Sequence, residues 1–426
     1  MLLTNTRFLD ETFHLRYADI RIHDAHIVEI DEQLEPLANE AVIDCSSYLL
    51  YPGLIDAHVH TPDTLLRGIF CDMSLHQWGD QSEQGQLQQR LFDYLDQHAS
   101  KTEFLTLVQY AYLQYLKNGV ACIIETGQAD DSCLMLEKGA LQVGIKALVD
   151  WYDEAVASDL MHTNLRRGTH LPEEEDLEQY SLELTVKRVR ETGWPLMTHC
   201  LETEFRRQES LRKFGCSTVK LLDEYQLLGP NTILFHCIET DEEDRRLLAK
   251  SQAHLVHCPV SNQLASEHRM ALDELLQRGS HLGLGTDFLT HDLWEVMRCT
   301  YRELKTSDNP DRYDAATVWK MATNSPCPDL YQGSIAVGNS ADLLFIRDNS
   351  RLSPLLQLST FSNAAFNTLM YTQQDMIEHV MISGSFALFH GKSPSIDEVQ
   401  LENDYQALLE TIFSKDLIQQ TDRELQ

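Results

Sequence analysis

The chain has 426 residues, of which 66 are Asp or Glu and 34 are Lys or Arg, so its formal net charge is −32. This acidity argues against a nucleic-acid or anionic-membrane partner, because such surfaces need clustered Lys and Arg. Hydrophobic residues make up 43% of the chain, but no apolar stretch reaches the roughly 18 residues that a membrane span needs.

The ten cysteines are scattered singly, without a Cys-X-X-Cys pair, and the first residues lack the basic region and long apolar run of a secretory signal. In a chain of this length, that pattern favours reduced thiols over a disulfide framework. We therefore expect a cytoplasmic globular protein.

The two ends of the chain share a β-rich texture. Residues 1–50 alternate apolar and polar side chains in short runs, which predicts a β meander. The same texture returns late, so we expect residues 331–395 to join residues 1–50 in one small β-sandwich domain. Residues 396–426 are polar and helix-prone, and they predict a helical tail.

The middle of the chain, about residues 51–330, has a different rhythm, in which short apolar strands alternate with helix-like stretches. This alternation predicts parallel βαβ units, and their number favours a closed (β/α)₈ TIM-like barrel in an α/β protein. A strand near Leu165–His170 is weak, so the count of eight is partly inferred. The other predicted strands are Leu49–His60, Val120–Glu125, Gly144–Asp150, Pro195–Cys200, Thr232–Cys237, His254–Cys258 and His281–Asp287.

Four of these predicted strands end in residues that can bind a metal: His58 with His60, His199, His236 and Asp287. Barrel units of about 31 residues place them on strands one, five, six and eight, and the C-terminal ends of barrel strands meet at one rim. Two histidines at alternate positions of a strand point to the same face. Neutral imidazole and carboxylate together suit Zn²⁺ or Fe²⁺, so the sequence predicts a metal site.

The sequence also carries a series of short motifs that resembles the metal-dependent amidohydrolase superfamily. Within it, the chain is similar to the branch of S-adenosylhomocysteine and methylthioadenosine deaminases, guanine and cytosine deaminases, and triazine hydrolases. The motifs, in order, are Pro52-Gly-Leu-Ile-Asp-Ala-His-Val-His60, Leu65-Leu-Arg-Gly68, His199-Cys-Leu-Glu202-Thr, Phe235-His-Cys237, His257-Cys-Pro-Val-Ser-Asn262 and Gly283-Leu-Gly-Thr-Asp287.

The resemblance implies a mononuclear centre with one divalent ion per chain, Zn²⁺ in the first place and Fe²⁺ as the alternative. His58, His60, His199 and Asp287 are the implied ligands. His236 is implied either as a catalytic residue that orients hydroxide or as a further ligand, and the sequence does not separate these roles.

The resemblance also implies a proton-shuttling glutamate, which is Glu202, three residues after His199. Glu204 is a weaker substitute, because it breaks the spacing. A bound divalent cation lowers the pKa of its water to about 7 and so supplies hydroxide at neutral pH. Asp287 can accept the proton of that water, His236 can stabilise the developing charge, and Glu202 can protonate a ring or amidine nitrogen.

A rival arrangement has two metals bridged by a carboxylated lysine on an earlier strand, and Lys146 lies on a predicted strand. However, Lys146 precedes the apolar run of that strand, so it does not lie at the C-terminal end. We therefore expect one metal per chain.

Loops after the strands should form the substrate pocket. The segment from Asp150 to Glu154 is acidic and aromatic, where adenosylhomocysteine-type enzymes use arginines to hold a carboxylate. This departure favours a small neutral or cationic amidine, guanidine or aminoheterocycle. The predicted substrate-binding residues are Arg67, Trp78, Glu125 and Trp151, with Asp63, Asp153, Glu154 and Phe288 as further candidates. The resemblance implies His170 as a further substrate-binding residue, since it lies near the position of a substrate-contacting histidine in adenosine-type members.

Three functions remain open at this level. The first is a hydrolytic deaminase that releases ammonia from an amidine-like carbon of a purine, pyrimidine, triazine or guanidine-type molecule. The second keeps the fold and the metal but expels an amine, a halide or a cyclic amide nitrogen. The third is a catalytically inactive scaffold, although every ligand candidate is present. A small molecule is the expected partner, and the resemblance implies a homodimer or homotetramer.

Overall fold

The structure is a computed structural model, and it describes residues 1–75, 82–126, 130–152, 162–306 and 309–413. Within these residues, eight parallel strands pair in chain order to form a barrel. A backbone bridge between Val59 and Asp287 joins the first strand to the segment after the last. The predicted barrel is thus confirmed, including its weak fourth strand. The strands are β6 (Leu54–Val59), β7 (Val120–Glu125), β8 (Lys146–Trp151), β9 (Leu165–His170), β10 (Leu196–Cys200), β11 (Thr232–His236), β12 (His254–His257) and β13 (His281–Leu284).

Helices follow most of these strands, as right-handed βαβ units require. The helix Lys101–Lys117 shows how local sequence sets a boundary, since Ser100 and Glu103 form a capping box at its N-terminus. The other α-helices are Glu83–Gln97, Asp130–Val143, Gln179–Thr192, Glu204–Phe214, Thr218–Glu224, Glu242–Ser251, Pro259–Ala265, Leu272–Gln277, Leu293–Lys305, Ala315–Thr323, Ala364–Tyr371 and Glu398–Ile412, and 3₁₀ turns span Thr61–Leu66, Pro310–Arg312 and Gln374–Met376.

Both ends of the chain contribute to a second, mixed sheet. Five strands come from the N-terminal part and three from the C-terminal part, and inward-facing side chains such as Phe8, Ile20 and Phe345 form a hydrophobic cluster of their own. The strands are β1 (Leu2–Leu9), β2 (Leu15–His23), β3 (His26–Asp31), β4 (Val42–Asp44), β5 (Tyr48–Pro52), β14 (Leu343–Arg347), β15 (Ile377–Ile382) and β16 (Ser385–Phe389).

The run predicted as one strand from Leu49 to His60 is divided between the two sheets. It breaks at Gly53, so that β5 pairs with β14 while β6 enters the barrel. A Cβ atom on Gly53 would lie 2.4 Å from the Cβ of Ala121 on β7, so the close approach of the two strands there requires glycine.

Stacked aromatic rings join these parts of the molecule. Tyr51 on β5 stacks on Trp319 of a barrel helix, with ring centroids 4.6 Å apart. The helix Glu398–Ile412 packs through Tyr405 on Tyr110, with centroids 3.7 Å apart. No helix in the described ranges is long and apolar enough to cross a bilayer.

Lys146 is the first residue of β8 and therefore lies at the N-terminal end of the barrel. Its Nζ atom donates to Asp342 Oδ2 at 2.6 Å and to Ser340 Oγ at 3.1 Å, and both charged side chains are buried. Lys146 thus binds the segment just before β14, at the end of the barrel opposite to the predicted metal ligands. This placement contradicts the rival in which Lys146 bridges two metals.

We predict that Lys146→Met lowers the free energy of unfolding by about 3–5 kcal/mol, because it leaves the buried Asp342 carboxylate without its cation. The double variant Lys146→Met/Asp342→Asn should recover most of this loss, since no buried charge remains. Urea denaturation of both variants measures the effect, and a single variant as stable as the unaltered chain would contradict this account.

Candidate active site

Six polar side chains converge at the C-terminal rim of the barrel. His58 lies on β6, His199 on β10 and His236 on β11, and Asp287 follows β13. Backbone hydrogen bonds close the rim at this point: the Asp287 amide donates to the His58 carbonyl at 2.9 Å, and the His60 amide donates to the Asp287 carbonyl. Glu202, just after β10, completes the group.

The predicted ligand atoms lie close to one another. Asp287 Oδ1 is 3.3 Å from His58 Nε2 and 3.4 Å from His60 Nε2. The Nε2 atoms of His60 and His199 are 3.1 Å apart. His236 Nε2 is 3.8 Å from Glu202 Oε1 and 4.0 Å from Asp287 Oδ2. The structure therefore brings all the predicted ligand and catalytic residues together.

Polar groups outside this cluster hold the other nitrogen of three imidazoles. His199 Nδ1 lies 2.7 Å from Glu173 Oε1, His236 Nδ1 lies 2.8 Å from Asn262 Oδ1, and His58 Nδ1 lies 3.3 Å from Thr126 Oγ1. Such contacts fix the tautomer and the ring orientation. Each of these rings therefore directs its Nε2 atom toward the centre of the group.

The centre of the group contains buried nitrogen atoms that the described residues leave without a hydrogen bond, namely His58 Nε2 and His236 Nε2. Burial lowers the pKa of His58, and it lowers the pKa of His60 to about 4. These imidazoles are therefore neutral and present lone pairs. Orphaned buried nitrogens beside a carboxylate are the donor set that a divalent cation such as Zn²⁺ would satisfy.

A second group of metal-binding residue types, Glu378, His379 and His390, differs in this respect. Glu378 already binds Arg347 and His390, while His379 Nδ1 accepts from the His390 amide and its Nε2 lies 3.3 Å from Tyr48 Oη. The atoms of this second group that could bind a metal thus already form hydrogen bonds within the protein, and we do not assign a metal to the group.

Glu202 is buried beside His236, and its Oε2 atom accepts a hydrogen bond from Arg206. Glu204, the alternative shuttle, starts the next helix, and its carboxylate instead accepts from Gln208 on the helix surface at 2.6 Å. The placement favours Glu202 over Glu204.

His170 ends β9 and is fully buried. Its Nδ1 atom lies 2.6 Å from Asp150 Oδ2, and its Nε2 atom lies 3.7 Å from Glu173 Oε2. Burial alone would lower the pKa of His170, but the charge and hydrogen bond of Asp150 outweigh it and raise the pKa to about 10. The ring is therefore an imidazolium near neutral pH.

The remaining predicted substrate residues have different surroundings. Trp151 is fully buried, and its Nε1 atom donates to Glu137 on a barrel helix, so its indole packs between strand and helix rather than in the cleft. Arg67 is exposed and contacts His291. Trp78, Asp153 and Glu154 lie outside the described residues.

Glu125 is buried under the loop that follows His60. Its carboxylate accepts from the Thr61 amide at 2.8 Å, from the Thr61 hydroxyl and from Tyr112 Oη at 3.0 Å. These bonds make Glu125 an anchor for the loop after β6, and they place it behind the site instead of at a surface open to substrate.

Asp63 belongs to the same loop, and its carboxylate is buried. Its Oδ1 atom has no hydrogen-bond partner among the residues that the structure describes. Burial, with a further contribution from the Asp287 charge, raises the pKa of Asp63 well above its ordinary value.

Two supporting residues escaped the sequence analysis. Glu173 lies in the run Pro-Glu-Glu-Glu-Asp after β9, which looks like an ordinary solvated acidic loop. Asp56, on β6, accepts from the amide and the hydroxyl of Thr286 at 2.9 and 2.7 Å and thus fixes the residue before Asp287. Its position two residues before His58 could have suggested an inward-facing side chain.

The chain resembles known proteins over most of its length. The sequence profile of the amidohydrolase family matches residues 49–386. The chain is 27% identical over 421 residues to a 5-methylthioadenosine/S-adenosylhomocysteine deaminase of Pyrococcus furiosus, covering 94% of this chain and 97% of the relative. It is 26% identical over 423 residues to a 5'-deoxyadenosine deaminase of Methanopyrus kandleri, covering 93% and 92%.

The fold is also that of a solved structure, an adenosine deaminase from Xanthomonas campestris with bound zinc. The TM-score is 0.82 at 20% identity, and the match covers 96% of this chain and 98% of that one. At this identity, the likeness shows the fold alone.

The buried Glu125 carboxyl group yields a prediction for stability against pH. Burial raises its pKa to about 8, although the hydrogen bonds from Thr61 and Tyr112 act in the opposite direction. The folded chain therefore keeps this proton from the ordinary glutamate pKa of about 4.3 up to about pH 8, whereas the unfolded chain has lost it. The stability contributed by this group falls as pH rises through that window.

We predict that, in metal-free protein, the free energy of unfolding falls with pH more steeply in the unaltered chain than in Glu125→Gln. The difference should approach about 1.4 kcal/mol per pH unit between pH 5 and 8. Denaturant unfolding across this range measures both slopes, and parallel slopes would contradict the assignment.

Proposed function

Because the chain belongs to the amidohydrolase family, we propose that it is a metal-dependent hydrolase that releases ammonia from an amidine-like carbon of an aminoheterocycle. The observation that carries this proposal is the joint placement of His58, His60, His199 and Asp287 with Glu202 and His236 at one barrel rim. The relatives are named as deaminases of adenine nucleosides, and this supports the choice of ammonia as the leaving group.

We propose one Zn²⁺ per chain, with Fe²⁺ as the alternative, held by His58, His60, His199 and Asp287. Neutral imidazoles and one carboxylate suit either ion. When bound, such an ion supplies an activated water molecule near neutral pH.

The chain's own residues then handle the protons. Asp287 Oδ2, the oxygen that faces His236, would accept the proton released from the attacking water. His236, held by Asn262 through Nδ1, would direct Nε2 to the oxygen on which negative charge develops. Glu202, 3.8 Å from His236, would donate a proton to the ring nitrogen next to the C–NH₂ carbon and take one back from the hydroxyl group added to that carbon. Asp287 would pass the proton of the attacking water to the amino group, which leaves as ammonia.

The surroundings of the site favour a substrate edge rich in nitrogen. The His170 imidazolium offers a donor, whereas the buried Asp63 carboxylate offers an acceptor that the described residues leave unused. An aminopurine or aminopyrimidine presents both an acceptor and donors on its ring edge. A cationic amidine or guanidine is the second candidate class, because a bound cation would stabilise the carboxylate form of Asp63, which burial otherwise disfavours.

The direct test is release of ammonia from a panel of adenine nucleosides, aminopyrimidines, aminotriazines and guanidine compounds by zinc-loaded protein. Chloride and amine release are measured on matched substrates in the same reactions. Ammonia from one ring class, abolished by a chelator, is the expected result. Protein that holds its metal and releases only chloride or an amine would contradict the deaminase proposal.

We predict that Glu202→Gln keeps its metal but lowers kcat about 100- to 10,000-fold, because it removes the proton donor for the ring nitrogen. Glu204→Gln is the matched control: the same charge is removed two residues away, from a side chain that contacts Gln208. It should retain most turnover. Near-normal turnover in Glu202→Gln, or equal losses in both variants, would contradict the role of Glu202.

A further inference from the structure

We propose that Glu173 is a positioning residue for the metal centre, which fixes the orientation and tautomer of His199 and thereby sets the affinity for the metal. This inference rests on the proposed function only in that a metal binds at His199. It concerns a residue of the loop after β9, outside the strand ends that carry the ligands.

Glu173 contacts His199 directly. Glu173 Oε1 lies 2.7 Å from His199 Nδ1, which is the distance of a charge-assisted hydrogen bond. A carboxylate accepts, so Nδ1 must carry the proton and Nε2 must carry the lone pair. That lone pair faces His60 Nε2 at 3.1 Å, in the centre of the ligand group.

Glu173 also lies close to a second imidazole, that of His170. Its other carboxylate oxygen lies 3.7 Å from His170 Nε2, and His170 is itself held by Asp150 at 2.6 Å. The carboxylate thus lies between two imidazoles, one that donates to it and one that is positively charged. Both oxygens of Glu173 are therefore near imidazoles, and the one that hydrogen-bonds is the oxygen that faces His199.

The two glutamates that follow Glu173 in the chain contact other residues. Glu174 accepts from the Leu201 amide at 2.8 Å and from Thr218 Oγ1 at 2.7 Å. Glu175 accepts from Arg206, whose guanidinium also binds Glu202. Three consecutive glutamates therefore contact three different parts of the chain from β10 onward, and in this set the contact to a proposed metal ligand, His199 on β10, belongs to Glu173.

This contrast supplies a matched pair of variants, Glu173→Gln and Glu175→Gln. Each removes one negative charge from the same loop. In the first, the amide replaces a charged acceptor with a neutral group that can either accept from or donate to His199 Nδ1, so the ring is no longer held in one tautomer. Loss of such a partner typically weakens metal binding about 10- to 100-fold.

The experiment measures Zn²⁺ affinity of the full chain by competition with a chromogenic chelator, together with the absorption spectrum of the Co²⁺-loaded protein. Glu173→Gln should raise the Kd for Zn²⁺ about 10- to 100-fold and change the Co²⁺ bands. Glu175→Gln should leave both readouts unchanged. Equal affinities for Glu173→Gln and the unaltered chain, or equal losses in both variants, would overturn the proposal.

Two further measurements distinguish a loss of folding from a loss of metal binding. Thermal unfolding of the metal-free proteins shows whether each variant folds. If Glu173→Gln does not fold, Glu173→Asp and Glu175→Asp replace the pair, with weaker Zn²⁺ binding expected for the first and unchanged binding for the second. Should the unaltered chain bind no Zn²⁺, the proposed function fails, whereas zinc binding insensitive to Glu173 overturns this inference alone.

Discussion

Parallel pairing of eight strands in one barrel is the constraint on which the site depends. Because the strands run in the same direction, their C-terminal ends meet at one rim, and residues far apart in the chain become neighbours. The backbone bonds between Asp287 and the His58–His60 segment close this rim. They place the Asp287 carboxylate beside the imidazoles of His58 and His60, where the first and last strands of the barrel end.

Burial then makes the arrangement costly unless the polar atoms find partners. The protein partly meets this cost with hydrogen bonds between the Nδ1 atoms of the imidazoles and the side chains of Glu173, Asn262 and Thr126. The Nε2 atoms of His58 and His236 remain without such bonds in the described part of the chain. A group of oriented, buried and unsatisfied nitrogens is what a metal centre requires, and a packed core does not explain it.

Much of this architecture could be predicted from the sequence. The alternation of apolar runs and helical stretches indicated the barrel, and motif spacing indicated the ligands at its strand ends. The split of the predicted Leu49–His60 strand could not be foreseen, because it depends on the contact between Gly53 and Ala121 on another strand. Trp151 was predicted to bind substrate, but strand alternation turns its indole toward Glu137 on the helix layer.

Residues that hold other residues of the site in place were the hardest to predict from the sequence. Glu173 lies in a run of acidic residues that would be unremarkable on any surface, and its contact with His199 joins two barrel units. Asp56 and Glu125 are likewise defined by partners distant in the chain, Thr286 and Tyr112. Sequence patterns identify side chains by type and period, whereas such contacts exist only once the barrel has closed.

The most direct test of the account is X-ray diffraction from crystals of the zinc-loaded protein, with anomalous data collected on both sides of the zinc absorption edge. The account predicts one strong anomalous peak per chain, bound by His58, His60, His199 and Asp287 at the C-terminal rim of the barrel. Two neighbouring peaks at the rim, or a peak at another group such as Glu378, His379 and His390, would contradict it.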